Sequence, residues 1–339
     1  MQETPFVNSS FLSQFGELVL SRGGDANALA QAVGLPSEAI NGAHMPIPFS
    51  QFIALLELAA EELNFPDISF SLAQRQDITI LGPLGIMLDD CQTVADALVV
   101  IQQYMNIIVS GIKLQISENK GLLELCLHCN LPALYDKPQF QYYLLASILK
   151  VIREIIGQKY RIRGCFFTRT ERDIEKIKRF THLLGCPVGF GSDQIKITID
   201  SAVLQESTLD IRNYITSRMR SFMDSQEEFL KQVSAVISIF LPSGKTDINS
   251  IAKSMGYSAR TLQRRLNDSS SSFKYLLDSV RLTHANQYLK NTQYSLTDIA
   301  ILLGYSNLSA FTRAYHRWHG INPRKARHIK TAPQKSETK

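Results

Sequence analysis

Two segments in the last third of the chain repeat one pattern of small, aromatic and arginine residues. Residues 255–266 read MGYSARTLQRRL and residues 303–318 read LGYSNLSAFTRAYHRW. Arginine carries its donors in a fixed fork that can bind phosphate or pair with the O6 and N7 atoms of guanine. Neither segment contains Asp or Glu, as expected for contact with a polyanion. These residues therefore indicate binding of a nucleic acid rather than catalysis of a covalent reaction.

The two segments share the residue pattern of a helix-turn-helix motif. When they are aligned on their shared Gly-Tyr-Ser, seven positions around the two turns match in residue type. Gly256 and Gly304 can adopt the left-handed conformation that ends a first helix in a tight turn. Ser258 in the first segment, and Ser306 or Asn307 in the second, can cap the helix that follows. Apolar residues at helical spacing bury one face of each helix, so the sequence predicts two such motifs in tandem.

The second helix of each predicted motif exposes side chains that could reach base edges in a major groove. Short polar side chains allow a close approach to the groove, and arginine can pair two donors with guanine. The predicted DNA-binding residues are Ser258, Ala259, Arg260, Thr261, Gln263, Arg264, Arg265, Asn307, Leu308, Ser309, Thr312, Arg313, His316 and Arg317.

A long amphipathic helix is predicted between the two motifs, over residues 272–290. We place the motifs themselves at residues 247–268 and 295–318. A helix of ~18 residues is about 27 Å long, which is close to the ~34 Å between successive turns of duplex DNA. The doubled motif therefore predicts that one chain occupies two adjacent major grooves of double-stranded DNA.

The positive charge is concentrated in the last third of the chain. The 339 residues carry a formal net charge of +5, with 36 Lys and Arg against 31 Asp and Glu. From residue 225 onward there are 17 basic and 7 acidic residues, a net +10, whereas residues 1–224 carry 19 and 24, a net −5. This division indicates a polyanionic partner for the C-terminal part alone. The alternative interpretations are a solvated basic surface or a protein-docking helical bundle, and the acid-free second helices disfavour the latter.

The remaining residues give little support to metal or catalytic chemistry. Cys126 and Cys129 lie on a segment that alternates as a strand does, which directs the two thiols to opposite faces. No second pair of Cys or His stands at zinc-like spacing, and Gly189–Gly191 is not followed by the Lys of a phosphate-binding loop. We therefore expect no cofactor, no metal and no catalytic residue, and interpret the chain as a binding protein rather than an enzyme.

No segment predicts secretion or a membrane span. The N-terminus is polar and lacks a basic start followed by an apolar run, and no stretch reaches the ~18 apolar residues of a transmembrane helix. The five cysteines do not have the spacing of a disulfide framework. We expect a cytoplasmic protein with reduced thiols and no membrane partner.

The first two thirds of the chain change from helical to strand periodicity. Residues 11–63 read as three helices, the first over 11–24 and the third separated from the second by Pro46–Pro48, and residues 93–109 read as another helix. Residues 112–128 read as a hairpin with its turn at Glu118–Gly121. Helical patterns over 140–157 and 171–185 then alternate with strand patterns over 161–168 and 194–200, and no strand pattern follows. This order predicts an α+β N-terminal regulatory domain followed by an all-α C-terminal domain with two helix-turn-helix motifs joined by a long helix.

The domain boundaries follow from the same patterns. Asp224-Ser225 resembles an N-cap for the helix that starts the C-terminal domain. We assign residues 1–222 to effector binding and dimerisation and residues 223–330 to DNA binding. Residues 331–339 are expected to be a disordered tail.

At these residues the chain resembles the AraC/XylS family of bacterial transcription regulators. The string SLTDIAILLGYSNLSAFTRAYHRWHGINPRKAR at 295–327 matches the family's C-terminal signature nearly position by position. The string SMGYSARTLQRRL at 254–266 resembles the first DNA-reading motif of one subgroup. The fragments LGPLGIML at 81–88 and FTHLLGCPVGFGSDQIKITID at 180–200 resemble the arabinose-binding type of N-terminal regulatory domain.

The resemblance implies a sequence-specific, DNA-associated regulator that activates transcription under the control of a small effector. It implies RNA polymerase as a partner, and a homodimer is a further option. The apolar richness of the N-terminal domain favours an apolar or amphipathic effector over a sugar. The positions that the resemblance assigns to base reading are Arg260, Arg264, Leu308, Ser309, Thr312 and Arg313.

Two alternatives stay open at this point. The N-terminal domain could serve only dimerisation or a protein partner, with no small molecule involved. The chain could also be a DNA-repair alkyl transferase, since some repair proteins carry the same motifs. That activity needs a reactive Cys followed by Pro, His and Arg, whereas Cys186-Pro187 lacks the last two residues and the chain has no four-Cys zinc cluster.

Overall fold

The N-terminal part opens with a two-stranded ribbon surrounded by short helices. Strand β1 (Phe6–Asn8) pairs antiparallel with β2 (Pro46–Pro48), and all six residues are buried. The helices around it are α1 (Phe15–Leu20), α2 (Ala26–Ala32), α3 (Phe49–Glu62) and α4 (Ile68–Arg75). This computed structural model describes residues 5–41, 45–81, 88, 91–109, 111–131, 134, 137–156, 161–207, 226–291 and 294–331.

Two features of this region differ from the sequence prediction. The pattern over residues 11–24 predicts one helix, but α1 is shorter because Gln14, at its N-cap, has a left-handed φ of 67°. The Pro46–Pro48 stretch is predicted to separate two helices, whereas it pairs with β1. A short segment with two prolines carries no strand periodicity, and its partner lies near the start of the chain, so no local pattern indicated this ribbon.

A five-stranded sheet follows, with the strand order β3-β4-β7-β5-β6. Strands β5 and β6 pair in parallel and the other neighbours are antiparallel. The predicted hairpin is confirmed, and its turn has the two positive φ values of a type I′ turn, 50° at Lys120 and 78° at Gly121. The strands are β3 (Ile112–Asn119), β4 (Leu122–Cys129), β5 (Ile162–Phe166), β6 (Val188–Gly189) and β7 (Ile195–Asp200).

The helices that accompany the sheet agree with their predicted positions. Thr93 begins the first of them with a reciprocal capping box to Asp96, and Asp173 and Gly185 bound the third. The helices are α5 (Val94–Ile108), α6 (Pro138–Ile156) and α7 (Ile174–Leu184). Helix α7 is tied to α4 by an ion pair between Arg179 and Asp67, so the sheet and the N-terminal helices share one core.

The C-terminal part contains helices and no strand within its described residues, as predicted. The long connecting helix and both helix-turn-helix motifs are present. The helices are α8 (Gln226–Phe240), α9 (Ile248–Ser254), α10 (Ala259–Asp268), α11 (Phe273–Asn291), α12 (Leu296–Leu302), α13 (Leu308–His319) and α14 (Pro323–Thr331). The predicted cap at Asp224-Ser225, the boundary near residue 222 and the tail after Thr331 lie outside the described residues.

No helix within the described ranges is long and apolar enough to cross a lipid bilayer.

Helix α8 is fixed to the connecting helix α11 by a buried polar contact. The His284 Nε2 atom lies 2.6 Å from the Ser238 hydroxyl, and its Nδ1 atom lies 3.1 Å from Oε1 of Gln287. Burial lowers the pKa of His284 to about 4, from an ordinary value of 6.5. The imidazole is therefore neutral in the folded protein at physiological pH.

The burial of His284 predicts an acid-sensitive C-terminal domain. Below pH 6.5 the unfolded chain binds a proton that folded His284 does not bind until about pH 4. The free energy of unfolding is therefore fully retained above pH 6.5 and falls as the pH drops towards 4, by up to ~3 kcal/mol. Urea unfolding between pH 7.5 and 4.5 measures this slope. His284→Gln should flatten it and exposed His316→Gln should not; an unchanged slope in His284→Gln would refute the assignment.

Candidate nucleic-acid interface

The first motif is built from α9, a glycine turn and α10. Asp247 caps α9 by accepting hydrogen bonds from the backbone N–H groups of Asn249 and Ser250. The turn has a φ of 70° at Gly256, and the N–H of Tyr257 donates to the carbonyl of Ala252 at 2.8 Å. This turn directs α10 away from α9 and brings one face of α10 to the surface.

The second motif repeats the same local geometry. Gly304 has a φ of 70°, and the N–H of Tyr305 donates to the carbonyl of Ala300 at 2.9 Å. The Ser295 and Asp298 side chains form a capping box at the start of α12. The two repeated segments thus form the same backbone hydrogen bond at the turn, as the matching Ala, Gly and Tyr positions predict.

Each second helix has its own cap and its own buried face. Ser258 caps α10 by accepting from the N–H of Thr261 at 3.1 Å, and Asn307 caps α13 by accepting from the N–H of Ala310 at 2.9 Å. Both helices bury their apolar side, which leaves the opposite side for a partner. The buried residues are Leu262 and Leu266 in α10, and Phe311, Ala314 and Tyr315 in α13.

The predicted DNA-binding residues divide into two groups by exposure. The exposed ones are Ser258, Arg260, Gln263, Arg264, Asn307, Ser309, Arg313, His316 and Arg317. The half-buried ones, which the sequence pattern places on the exposed face or at its edge, are Ala259, Thr261, Arg265, Leu308 and Thr312. The first motif thus presents Arg260 and Arg264 to solvent, and the second presents Arg313.

Arg265 differs from its neighbour Arg264 because protein groups hold its guanidinium. The guanidinium carbon lies 4.3 Å from the ring centre of Phe229 and 5.2 Å from that of Tyr257, and Nη1 donates to the Tyr257 hydroxyl. Stacked in this way, Arg265 braces α10 against α8. The sequence could not separate the two arginines, since Phe229 lies far upstream on another helix.

Arg317 is also engaged, although its side chain remains exposed. Its Nη2 atom lies 3.3 Å from Oδ2 of Asp278 on α11, and its guanidinium carbon lies 5.9 Å from the ring centre of Trp318. An exposed ion pair of this kind contributes little to stability, but it orients the last turn of α13 relative to α11.

Arg281 was missed by the sequence interpretation, and it joins the connecting helix to the second turn. Its Nε donates to the carbonyl of Leu303 at 3.0 Å and its Nη2 to that of Gly304 at 3.2 Å. The guanidinium carbon also lies 4.4 Å from the ring centre of Tyr305. Burial lowers the pKa of Arg281 below its ordinary value. The signal available in the sequence was a basic residue on the inner side of an amphipathic helix. Through these contacts Arg281 fixes the second motif to α11.

Two family patterns match this chain, one in each part. Residues 23–207 match the family described as "Arabinose-binding domain of AraC transcription regulator, N-term". Residues 251–329 match the family described as "Helix-turn-helix domain". The first match spans more than half of the chain. The second covers the whole of the second motif and the first motif from Ile251 onward.

Three named regulators are similar to this chain over half of its length or more. The HTH-type transcriptional regulator VirS of Mycobacterium tuberculosis is 27% identical over 289 residues, which cover 81% of this chain and 83% of VirS. The ornithine utilization regulator of Pseudomonas aeruginosa is 23% identical over 314 residues, 91% of this chain and 92% of that protein. The virulence regulon transcriptional activator VirF of Shigella flexneri is 24% identical over 189 residues, 54% of this chain and 68% of VirF. The chain is therefore not an enzyme but belongs to the AraC family of DNA-binding transcription regulators.

Proposed function

We propose that this regulator binds promoter DNA with α10 in one major groove and α13 in the next, and activates transcription under the control of a small effector. The observation that carries the proposal is the exposure of Arg260, Arg264 and Arg313 on the outer faces of two motifs with matching turns. Arginine at such a position can pair with guanine through two donors. One chain would then read two successive segments of a promoter.

The side chains of the two helices receive different roles. Arg260, Arg264, Thr312 and Arg313 read base edges, with short Ser309 and Gln263 beside them. Exposed His316 and the caps Ser258 and Asn307 lie where phosphates would pass. Arg265 and Arg317 instead orient their helices, because their guanidinium groups already contact Phe229 and Asp278.

The proposed effector site is an apolar cavity of about 50 Å³ in the N-terminal part. It lies between α3, α5 and α6, and its lining includes Phe11, Phe49, Met105, Phe140, Tyr143, Ser147 and Val151. An apolar cavity favours apolar ligands over sugars. A ligand of more than a few heavy atoms would have to displace these side chains. Binding of an effector in this cavity would therefore change the conformation of the N-terminal part.

Helix α3, which contributes Phe49 and Ile53 to the wall of this cavity, also contacts the DNA-binding part. Phe49 follows directly on β2, and the Tyr288 hydroxyl at the end of α11 donates to the carbonyl of Pro46 in β2. The Tyr294 hydroxyl, just before α12, donates to Oε1 of Gln51 on α3. These contacts support a route by which an effector that moves α3 changes the position of the second motif.

Further parts of the proposal rest on the family. VirF is named a transcriptional activator, which supports activation and RNA polymerase as a partner. The proposal also includes homodimerisation through the N-terminal part, a domain boundary near residue 222, and a location in the cytoplasm beside the DNA.

The small cavity favours a second candidate function for the N-terminal part. About 50 Å³ is far below the ~300–1,000 Å³ of ordinary ligand sites. In this alternative the chain remains a DNA-binding regulator, and its N-terminal part only dimerises or binds a protein.

Thermal unfolding of the full chain with a panel of apolar and amphipathic metabolites separates the two candidates. A compound at 100 times its dissociation constant adds ~2.7 kcal/mol to the free energy of unfolding. We expect such a compound to stabilise the wild type but not Val151→Phe, which fills the cavity. The matched control Val99→Phe, on a side chain that is 51% exposed, should keep the full shift. Equal shifts in the two variants contradict this site, and no shift with any compound favours the alternative.

A further inference from the structure

Two buried cysteine thiols lie side by side in the regulatory part. The Sγ atoms of Cys165 in β5 and Cys186, which follows α7, are 3.4 Å apart. Cys165 is 0% exposed and Cys186 is 6% exposed, so only a small reagent can reach them. Neither residue lines the proposed effector cavity or belongs to the DNA-binding helices.

The sheet holds the two backbones in register. Strands β5 and β6 pair in parallel, with Cys165 opposite Val188, and the N–H of Cys165 donates to the carbonyl of Pro187 at 2.9 Å. A disulfide bond needs a sulfur separation of about 2.05 Å. The sulfur atoms therefore have to approach by ~1.4 Å, a distance that side-chain rotation can supply.

The surroundings of Cys186 favour its ionised form. The Nη2 atom of Arg153 donates to the carbonyls of Leu184 and Gly185, the two residues before Cys186. The pKa of Cys186 is lowered by the hydrogen bond with Cys165 and further by the charge of Arg153. The pKa of Cys165 is raised by the same hydrogen bond and by burial. The pair thus consists of a more acidic thiol beside one that stays protonated, an arrangement that suits attack on a peroxide.

The other cysteines of the sheet lack this arrangement. Cys126 and Cys129 lie on β4 at positions of opposite parity, so their side chains leave opposite faces of the sheet. Burial raises the pKa of both of these thiols. They serve as internal controls for any oxidation experiment.

We propose that Cys165 and Cys186 are an oxidation site at which a hydroperoxide forms an intramolecular disulfide. The Cys186 thiolate attacks one peroxide oxygen, the O–O bond breaks, and hydroxide leaves Cys186 as a sulfenic acid. The Cys165 sulfur then attacks the Cys186 sulfur, the S–S bond forms, the S–O bond breaks, and water departs with the Cys165 proton. Two thiols lose two electrons, and hydrogen peroxide is reduced to two molecules of water.

The bond would close a segment that contains α7. This helix is held to α4 by the Arg179–Asp67 ion pair and by the hydrogen bond from Gln74 Nε2 to the Leu183 carbonyl. Oxidation would therefore attach α7 covalently to β5 within the regulatory part. The inference does not depend on DNA binding or on the effector.

Peptide mapping of the reduced full chain after treatment with hydrogen peroxide tests this proposal. Remaining thiols are alkylated, and the protein is digested with trypsin without reductant. Cleavage after Arg163, Arg169, Arg179 and Lys196 places Cys165 in residues 164–169 and Cys186 in residues 180–196, each with a single Cys. We expect these two peptides to be joined, with a loss of about two mass units that a reductant reverses, while Cys126 and Cys129 remain alkylated.

Single variants separate the steps of the reaction. Cys165→Ser should leave Cys186 as a sulfenic acid that dimedone traps, and Cys186→Ser should abolish the linked peptides. Cys126→Ser is the matched control and should retain them. The proposal is overturned if peptides 164–169 and 180–196 stay unlinked in wild type, or if Cys126 and Cys129 oxidise first. Mapping of the wild type decides this even where a variant fails to fold.

Discussion

Replacing Gly304 with alanine is expected to destabilise the second helix-turn-helix motif by ~2–5 kcal/mol. Gly304 has a φ of 70°, and a Cβ atom built there would lie 2.3 Å from the carbonyl oxygen of Leu241. Left-handed backbone costs a residue with a Cβ ~1–2 kcal/mol, and overpacking adds ~1–3 kcal/mol. The obstructing atom belongs to the backbone, so no side-chain rotation relieves the overlap.

Gly320→Ala is the matched control for this variant. Gly320 also has a φ of 70°, but no heavy atom lies within 4 Å of its added Cβ. It should therefore lose only the ~1–2 kcal/mol of backbone strain. Urea unfolding followed by the fluorescence of Trp318, the single tryptophan of the chain, reports on α13 directly. Equal losses of unfolding free energy in the two variants would show that the contact between the second turn and Leu241 is not tight.

The double variant Arg260→Ala with Arg313→Ala is expected to weaken specific DNA binding at least ~30-fold. Each arginine that pairs with guanine contributes ~1–3 kcal/mol of discrimination. The two residues lie in different motifs, so their effects should add. Binding is measured on a duplex selected by the wild-type protein from a random pool, and on an unrelated duplex of the same length.

The ratio of the two affinities distinguishes base reading from attraction to phosphate. Lys274→Ala with Lys290→Ala removes the same charge from exposed positions on α11. This control should lower the affinity for both duplexes by similar factors and leave the ratio of the two affinities unchanged. If the arginine variant also leaves the ratio unchanged, Arg260 and Arg313 contact phosphates and the base-reading role is wrong.

The DNA-binding part was predictable from the sequence because its determinants are local. Gly256, Gly304 and the caps Ser258 and Asn307 act within a few residues of their own position, and the repeat allowed each motif to support the other. The hairpin at residues 112–128 was predictable for the same reason, since its register depends on alternation and a glycine turn.

Contacts between distant residues account for the features that were not predicted. Arg264 and Arg265 are adjacent and chemically identical, and the positions of Phe229 and Tyr257 in the fold make the second a packing residue. Arg281 reaches carbonyls beyond the end of the next helix along the chain. The approach of Cys165 to Cys186 depends on a very short strand, β6, which cannot carry a pattern.

Guanine N7 methylation interference on the selected duplex tests most directly whether the two motifs read bases in successive major grooves. The account predicts two clusters of interfering guanines on one face of the DNA, about one helical turn apart. Arg313→Ala should remove one cluster and Arg260→Ala the other. A single cluster, or the loss of both clusters in either variant alone, would contradict the assignment of one groove to each motif.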